Sequence, residues 1–96
     1  MKLTDKLSVS GDVVAREVGG ETILLDLASG TYIGLNTVGA RIWNLIEEVD
    51  GVSLAEVCDK LLEEFDAQRY VVELDVLNLS GKLLELDLVT VRNTLR

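Results

Sequence analysis

At Asn36 the spacing of apolar residues along the chain changes, and this change separates a strand-rich beginning from a helical remainder. Between residues 13 and 35, apolar side chains largely alternate with polar or small ones, as in strands that have one buried face. After Asn36 they recur every third or fourth residue, which is the spacing of amphipathic helices. The sequence therefore predicts one α+β domain, with a three-stranded antiparallel sheet followed by three helices.

Short β-prone runs precede the change of spacing. Three of them are predicted to be strands: residues 13–18, 21–27 and 31–35. Gly19-Gly20 lies between the first two runs and supplies the positive φ angles of a two-residue hairpin turn. Gly30 suits a left-handed turn position before the third run. For the tail, residues 89–96, the sequence leaves open whether it adds a short strand or frays.

Three helices are predicted after the strands. The first begins after its cap Asn36 and ends before Gly51. Ser53 and Glu56 form a capping box at the start of the second, because each side chain can satisfy a backbone amide of the other residue. The third helix is predicted from about residue 68 to residue 86.

The third helix carries two apolar stripes on nearly opposite faces. One stripe contains Val72, Val76, Leu79, Leu83 and Leu86, and the other contains Tyr70, Leu74, Leu77, Leu84 and Leu88. A helix in so small a domain buries one broad face in its own core. Two interpretations of the second stripe stay open: the helix lies centrally between the sheet and the other helices, or it borders an apolar groove that receives a partner.

Charge and cysteine usage limit the possible partners. The net charge is −8, and between residues 41 and 66 eight carboxylates stand against Arg41 and Lys60. Such a surface repels nucleic acid and anionic lipid and attracts basic partners. The single cysteine, Cys58, precludes an internal disulfide and fits a reducing compartment. Because no segment resembles a signal peptide or a membrane span, we expect a cytoplasmic protein.

Catalytic side chains are scarce. The chain contains no histidine, and its lone cysteine cannot form a thiolate metal cluster. Its glycines match no phosphate-binding motif, and no serine has a histidine partner. We therefore expect a protein that is not an enzyme and that has no cofactor and no metal.

A family resemblance rests on residues 23–66, which read ILLDLASGTYIGLNTVGARIWNLIEEVDGVSLAEVCDKLLEEFD, and on a later Asp-Val pair that opens a leucine-rich helix. Its landmarks are Asp26, Gly30, Tyr32, Leu35-Asn36, Gly39, Trp43, Phe65-Asp66 and Asp75-Val76. In order and spacing they closely resemble the PqqD-like family. That family includes protein D of pyrroloquinoline-quinone biosynthesis and the recognition elements of ribosomally made, modified peptides. The resemblance covers residues 13–89, which we take as the core of a single domain spanning residues 1–96.

The resemblance implies a winged-helix-like fold in which the third strand and the third helix flank a cleft. It also implies a non-catalytic role, in which the leader segment of a precursor peptide lies in the cleft as an added fourth strand. A free-standing chain of this size is most similar to the recognition protein of lasso-peptide pathways, whose partners are a leader peptidase and a cyclase. The alternative is a PqqD-type peptide chaperone for a radical S-adenosylmethionine enzyme.

The residues themselves agree with strand addition. An edge strand offers unpaired amides and carbonyls to an extended peptide, and side-chain pockets then set the register. The candidate edge is Thr31, Tyr32, Ile33, Gly34 and Leu35, in which no proline interrupts the ladder. Across the groove the candidate residues are Val71, Leu74, Asp75 and Asn78. The apolar members would seat peptide side chains, and Asp75 would pair with a lysine or arginine or accept an amide hydrogen.

Two other functions compete with peptide binding. The first is a DNA-binding winged helix, which the acidic second helix disfavours, because residues 53–66 contain five acids and one lysine. The second is a homodimeric adaptor in which the spare stripe of the third helix meets its own copy.

Overall fold

Two small antiparallel sheets and three helices build the fold. The computed structural model describes residues 1–92. The strands are β1 (Lys6–Val9), β2 (Val13–Val18), β3 (Glu21–Asp26), β4 (Tyr32–Leu35), β5 (Val52–Ser53) and β6 (Val89–Arg92). The helices are α1 (Thr37–Glu48), α2 (Leu54–Glu64) and α3 (Arg69–Glu85). The prediction of a three-stranded sheet followed by three helices is confirmed.

The first sheet is the predicted meander, with the order β2-β3-β4 and antiparallel pairing throughout. Gly19 and Gly20 both have positive φ, at 59° and 86°, and they make the tight turn between β2 and β3. In the register of the second pair, Thr22 lies opposite Leu35. Strand β4, the third strand of the meander, is the last element of the chain before α1.

The second sheet brings together segments that are far apart in the chain. Its order is β5-β1-β6, so β1 pairs with a strand on each side. The sequence analysis did not predict β1 or β5. For the tail it left open a strand or a frayed end, and residues 89–92 form β6, whereas residues 93–96 lie outside the described part of the chain.

Side-chain caps define where the first two helices begin. The Asn36 Oδ1 atom accepts a hydrogen bond from the Gly39 N–H, with 2.8 Å between the two atoms. Ser53 and Glu56 form the complete capping box at the start of α2. In residues 1–92 no helix is both long and apolar enough to cross a membrane.

The core lies where the three helices meet both sheets. Trp43 of α1 is fully buried, and so are Leu24 of the first sheet and Leu7 of the second. On α3 the first apolar stripe faces this core, since Val76 and Leu83 are fully buried. The fold thus holds α1, α3 and β4 around one shared core, which fixes the positions of the three elements relative to one another.

Candidate functional site

Strand β4 lies at an edge of the meander. It pairs with β3 on one side, and among residues 1–92 no strand pairs with its other side. The Asp26 N–H donates a hydrogen bond to the Thr31 carbonyl oxygen at 2.8 Å, which marks residues 26 and 31 as a hydrogen-bonded pair. Because such pairs alternate along an antiparallel ladder, Ile33 and Leu35 also direct their backbone groups toward β3. The N–H and C=O groups of Tyr32 and Gly34 therefore point away from β3, toward the open edge.

The side chains of β4 divide between two faces. Leu35 points into the core and is 3% exposed, and Ile33, on the same face, is half-buried. Tyr32 points to the opposite face and is 73% exposed. A Cβ atom at Gly34 would lie 3.5 Å from the Ile23 Cδ1 atom, which is an ordinary van der Waals contact. The edge can thus accept an alanine at Gly34 without a clash.

A buried carboxylate fixes the turn that leads into β4. Asp26 is buried, and its Oδ1 atom accepts a hydrogen bond from the Ala28 N–H at 3.0 Å. Its Oδ2 atom accepts one from the Ser29 hydroxyl at 2.9 Å. Gly30 follows with a φ angle of 77°, and its N–H donates to the Asp26 carbonyl oxygen. This turn explains why the Asp26 and Gly30 landmarks precede the edge strand, because together they set where β4 starts.

Beside the open edge lies a groove of about 350 Å³. Three elements form it: β4 on one side, α1 at the bottom and α3 on the other side. Its lining residues are Ile33, Gly34, Leu35, Asn36, Val38, Gly39, Ile42, Asp75, Leu79 and Lys82. A second hollow of about 240 Å³ shares Val38 and Asp75 with this groove. The two spaces therefore adjoin at Val38 and Asp75, and we call them together the furrow, which lies along α3 up to the end of α2.

The wall on α3 agrees only in part with the residues named from the sequence. Asp75 lines both spaces, and Val71 lines the second. Leu74 is 56% exposed and Asn78 is also exposed, and neither lines the furrow. The sequence analysis missed Leu79 and Lys82, which line the groove. Residues 75, 79 and 82 follow one another at helical spacing, along the edge of the first apolar stripe, to which Leu79 belongs.

Two opposite charges stand along this wall. Neither Asp75 nor Lys82 takes part in a salt bridge within the part of the chain that the structure describes. They are seven positions apart on the helix, which corresponds to about 10 Å along the axis. An extended chain covers that distance in about three residues. The groove therefore presents a negative and a positive group to different positions of one extended ligand.

The groups around the furrow are suited to holding a polypeptide. They comprise free backbone groups, aliphatic side chains and the two charges. Among the described residues, no group of three or more His, Cys, Asp or Glu side chains is placed to hold a metal ion. Burial raises the pKa of the Cys58 thiol, which lies in the core away from the furrow. Main-chain pairing plus pockets for alternate side chains is the chemistry that this arrangement supports.

Comparisons with known proteins give one matching family and two similar solved structures. The family model of coenzyme PQQ synthesis protein D (PqqD) matches residues 21–89. The structure of TbiB1 in complex with the TbiA(beta) leader peptide is similar, with a TM-score of 0.74 and 34% sequence identity, over 93% of this chain and 99% of that one. A lasso peptide synthetase B1 complexed with the leader peptide also has a TM-score of 0.74, with 27% identity, over 88% of this chain and 98% of that one. Among curated proteins, none matches.

Proposed function

The chain belongs to the PqqD family, and we propose that it is a non-catalytic binding protein that captures the leader segment of a ribosomally synthesised precursor peptide. Two similar solved structures, which match 93% and 88% of this chain, are complexes with a leader peptide. The open edge of β4 beside the furrow is the observation on which the proposal rests. In this view the leader joins the meander as a fourth strand, next to β4.

The backbone of the leader would pair with Tyr32 and Gly34, whose N–H and C=O groups face the open edge. Thr31, Ile33 and Leu35 would support the strand, because their backbone groups pair with β3 instead. Every second side chain of the leader would point into the furrow, since side chains alternate across a strand. Main-chain pairing would provide most of the affinity, and the pockets would provide the register.

On the opposite wall, Val71 and Leu79 would contact apolar side chains of the leader. Burying apolar surface contributes about 25 cal/mol per Å². Asp75 and Lys82 would select charged side chains, each exposed pair contributing about 0.2–1 kcal/mol. Leu74 and Asn78 lie outside the furrow, so a leader would reach them only by rising over the exposed face of α3. We therefore assign the selection of side chains mainly to residues 71, 75, 79 and 82.

We further propose that the chain acts in the cytoplasm in a lasso-peptide pathway, where it would deliver the bound leader to a leader peptidase and a cyclase. The similarity to a lasso peptide synthetase B1 over 88% of this chain supports that pathway. A second candidate function is that of a PqqD-type peptide chaperone for a radical S-adenosylmethionine enzyme, which the match to the PqqD family model favours. Both candidates use the same furrow.

Two substitutions at Gly34 test the proposal, because one removes the backbone N–H and the other keeps it. Gly34→Pro removes the N–H that faces the open edge, whereas Gly34→Ala keeps it and has room for the added methyl group. We expect Gly34→Pro to weaken binding of the leader segment of the precursor peptide by about tenfold or more, because a backbone acceptor of the guest loses its partner, at about 1–3 kcal/mol. Gly34→Ala should stay within about twofold of the unsubstituted protein, since an ordinary contact costs little. Isothermal titration of each folded variant measures the difference.

Asp75→Ala provides a second comparison in the same titration. It removes an exposed charge, so we expect a loss of at most about fivefold. Circular dichroism of Gly34→Pro checks that β4 still folds onto β3. Equally small losses for all three variants would refute strand addition at this edge.

A further inference from the structure

A second surface lies apart from the furrow, at the end of α1 and the beginning of α2. It is a hollow of about 270 Å³, which we call the acidic hollow. Its lining residues are Leu45, Glu48, Val49, Val52, Glu56, Val57, Asp59, Lys60 and Glu63. None of them lines the groove beside β4 or its extension. A ligand in the furrow therefore leaves this hollow free.

The bottom of the acidic hollow is apolar. Leu45, Val52 and Val57 are buried there and belong to the core. Val49, directly after the end of α1, is 52% exposed. An exposed valine above a buried aliphatic floor offers a contact site for one aliphatic side chain of a partner.

The rim of the acidic hollow is negative. Glu48, Asp59 and Glu63 carry exposed carboxylates, and Lys60 is the only basic residue among those that line the hollow. The Lys60 Nζ atom lies 3.8 Å from the Glu63 Oε1 atom, too far for a hydrogen bond. Arg41 contacts Glu48 only at 3.5 Å, while it makes two 2.7 Å hydrogen bonds to Glu64. The Asp59 Oδ1 atom already accepts a 2.9 Å hydrogen bond from the Arg69 Nη2 atom. The carboxylates of Glu48 and Glu63 therefore remain available to a partner.

The end of α1 adds to this negative potential. The C-terminal end of a helix has a partial negative charge, which basic side chains in the last turn commonly offset. The last turn of α1 contains no basic residue, and Val49 ends the helix with an extended backbone. The last backbone carbonyl groups of α1, which have no hydrogen-bond partner within the helix, thus lie near Glu48 and Val49.

We propose that the acidic hollow docks a basic segment of a partner protein, with an aliphatic side chain on Val49 and flanking lysine or arginine side chains against Glu48 and Glu63. Charge complementarity and the apolar floor together define this occupant. A second copy of the chain is a poor occupant, because each copy has a net charge of −8. Nucleic acid and anionic lipid are repelled by the same carboxylates.

Docking at the acidic hollow is compatible with a filled furrow, because the two surfaces share no lining residue. The chain would then hold a peptide on one surface and a basic protein segment on the other at the same time. Binding at the acidic hollow does not depend on which peptide occupies the furrow, and it can be tested separately from leader binding.

The test uses a synthetic probe, an acetylated hexapeptide with two central leucines flanked on each side by two arginines. Its binding is followed by amide chemical shifts of the isotope-labelled protein. We expect the shifts to concentrate at the end of α1, in β5 and at the start of α2. The double variant Glu48→Lys/Glu63→Lys should bind the probe about tenfold or more weakly, because two favourable charge contacts become repulsive. Val49→Ser should weaken binding about threefold through the loss of apolar contact.

The matched control is Glu17→Lys/Glu21→Lys, which makes the same change in net charge at two exposed positions on β2 and β3. It should bind the probe within about twofold of the unsubstituted protein. An equal loss in both double variants would mean attraction by net charge alone and would overturn the proposal, as would shifts centred on β4 and α3. Leader binding by Glu48→Lys/Glu63→Lys should be unchanged, which separates this proposal from the function of the furrow.

Discussion

Leu74 and Leu79 lie on the same helix, but the structure gives them different surroundings. Leu79 lines the groove opposite β4 and packs against the edge of the core. Leu74 is more than half exposed and points away from the furrow. From the sequence, Leu74 was the candidate contact and Leu79 belonged to the buried stripe. The two leucines are five positions apart, which places their side chains about 140° apart around the helix axis. The sequence does not fix how a helix is rotated against its neighbours, so the two could not be told apart.

This difference gives a test at the scale of single residues. Leu79→Ala should weaken leader binding by about fivefold to thirtyfold, because it removes apolar area from the wall of the groove, at about 1–2 kcal/mol. Leu74→Ala should change it by no more than about twofold, as expected for an exposed position. Fluorescence anisotropy of a labelled leader measures both, with thermal unfolding to check that each variant is folded. A larger loss for Leu74→Ala would place the leader on the other face of α3.

At the scale of elements, α2 depends on its capping box for a defined start. The backbone N–H of Ser53 donates to the Glu56 carboxylate at 3.1 Å, and the Ser53 hydroxyl donates to it at 3.0 Å. These hydrogen bonds hold the pKa of the Glu56 carboxyl below its ordinary value of 4.5, and the bond from the Ser53 backbone has the largest effect. A lowered pKa in the folded state means that the charged carboxylate stabilises the fold. This contribution is complete above the ordinary pKa and is lost as the pH falls through the lowered one.

Glu56→Ala should therefore lower the melting temperature by a few degrees at about pH 7, with a smaller difference from the unsubstituted protein at about pH 3. Glu63→Ala is the matched control, because Glu63 is an exposed acid on the same helix that caps nothing. Thermal unfolding followed by circular dichroism provides the comparison. A deficit for Glu56→Ala that is the same at both pH values would show that the charge of this carboxylate is not what stabilises the start of α2.

Elements whose signals are local could be predicted from the sequence. The Gly19-Gly20 turn, the Asn36 cap and the capping box each lie within a few residues, and the structure has all of them. Strand β1 was missed because its stability comes from partners far along the chain. Leu7 lies opposite Val52 on one side and Val91 on the other. A strand of four residues with no turn signal beside it gives no indication in the sequence that it pairs with such distant segments.

The two sides of the candidate site also differ in how far they could be predicted from the sequence. The edge of β4 follows from the order of a meander, in which the third strand has one free side, and this could be predicted. The wall on α3 could not, because tertiary packing sets which flank of a helix faces a strand. Asp75 was identified through the family resemblance, whereas Lys82 has no distinguishing signal in the sequence.

For the molecule as a whole, the second sheet connects segments that are far apart in the chain. Strand β1 joins β5, which precedes α2, to β6, which follows α3. The buried side chain of Leu7 contributes to the same core as Trp43 and Leu24. Leu35 of β4 and Val76 of α3 belong to this core as well, so packing fixes the wall of the furrow relative to the edge strand. A site that packing holds in place loses little conformational freedom when it binds.

The central claim is that the outer edge of β4 receives a peptide strand, and amide hydrogen exchange at single-residue resolution tests it most directly. In the free protein, the amides of Ile33 and Leu35 should exchange slowly, because they donate to β3, whereas those of Tyr32 and Gly34 should exchange fast. Addition of the leader should slow exchange at Tyr32 and Gly34 by about tenfold or more, while Ile33 and Leu35 change much less. Unchanged fast exchange at Tyr32 and Gly34 in the saturated complex would contradict strand addition at this edge.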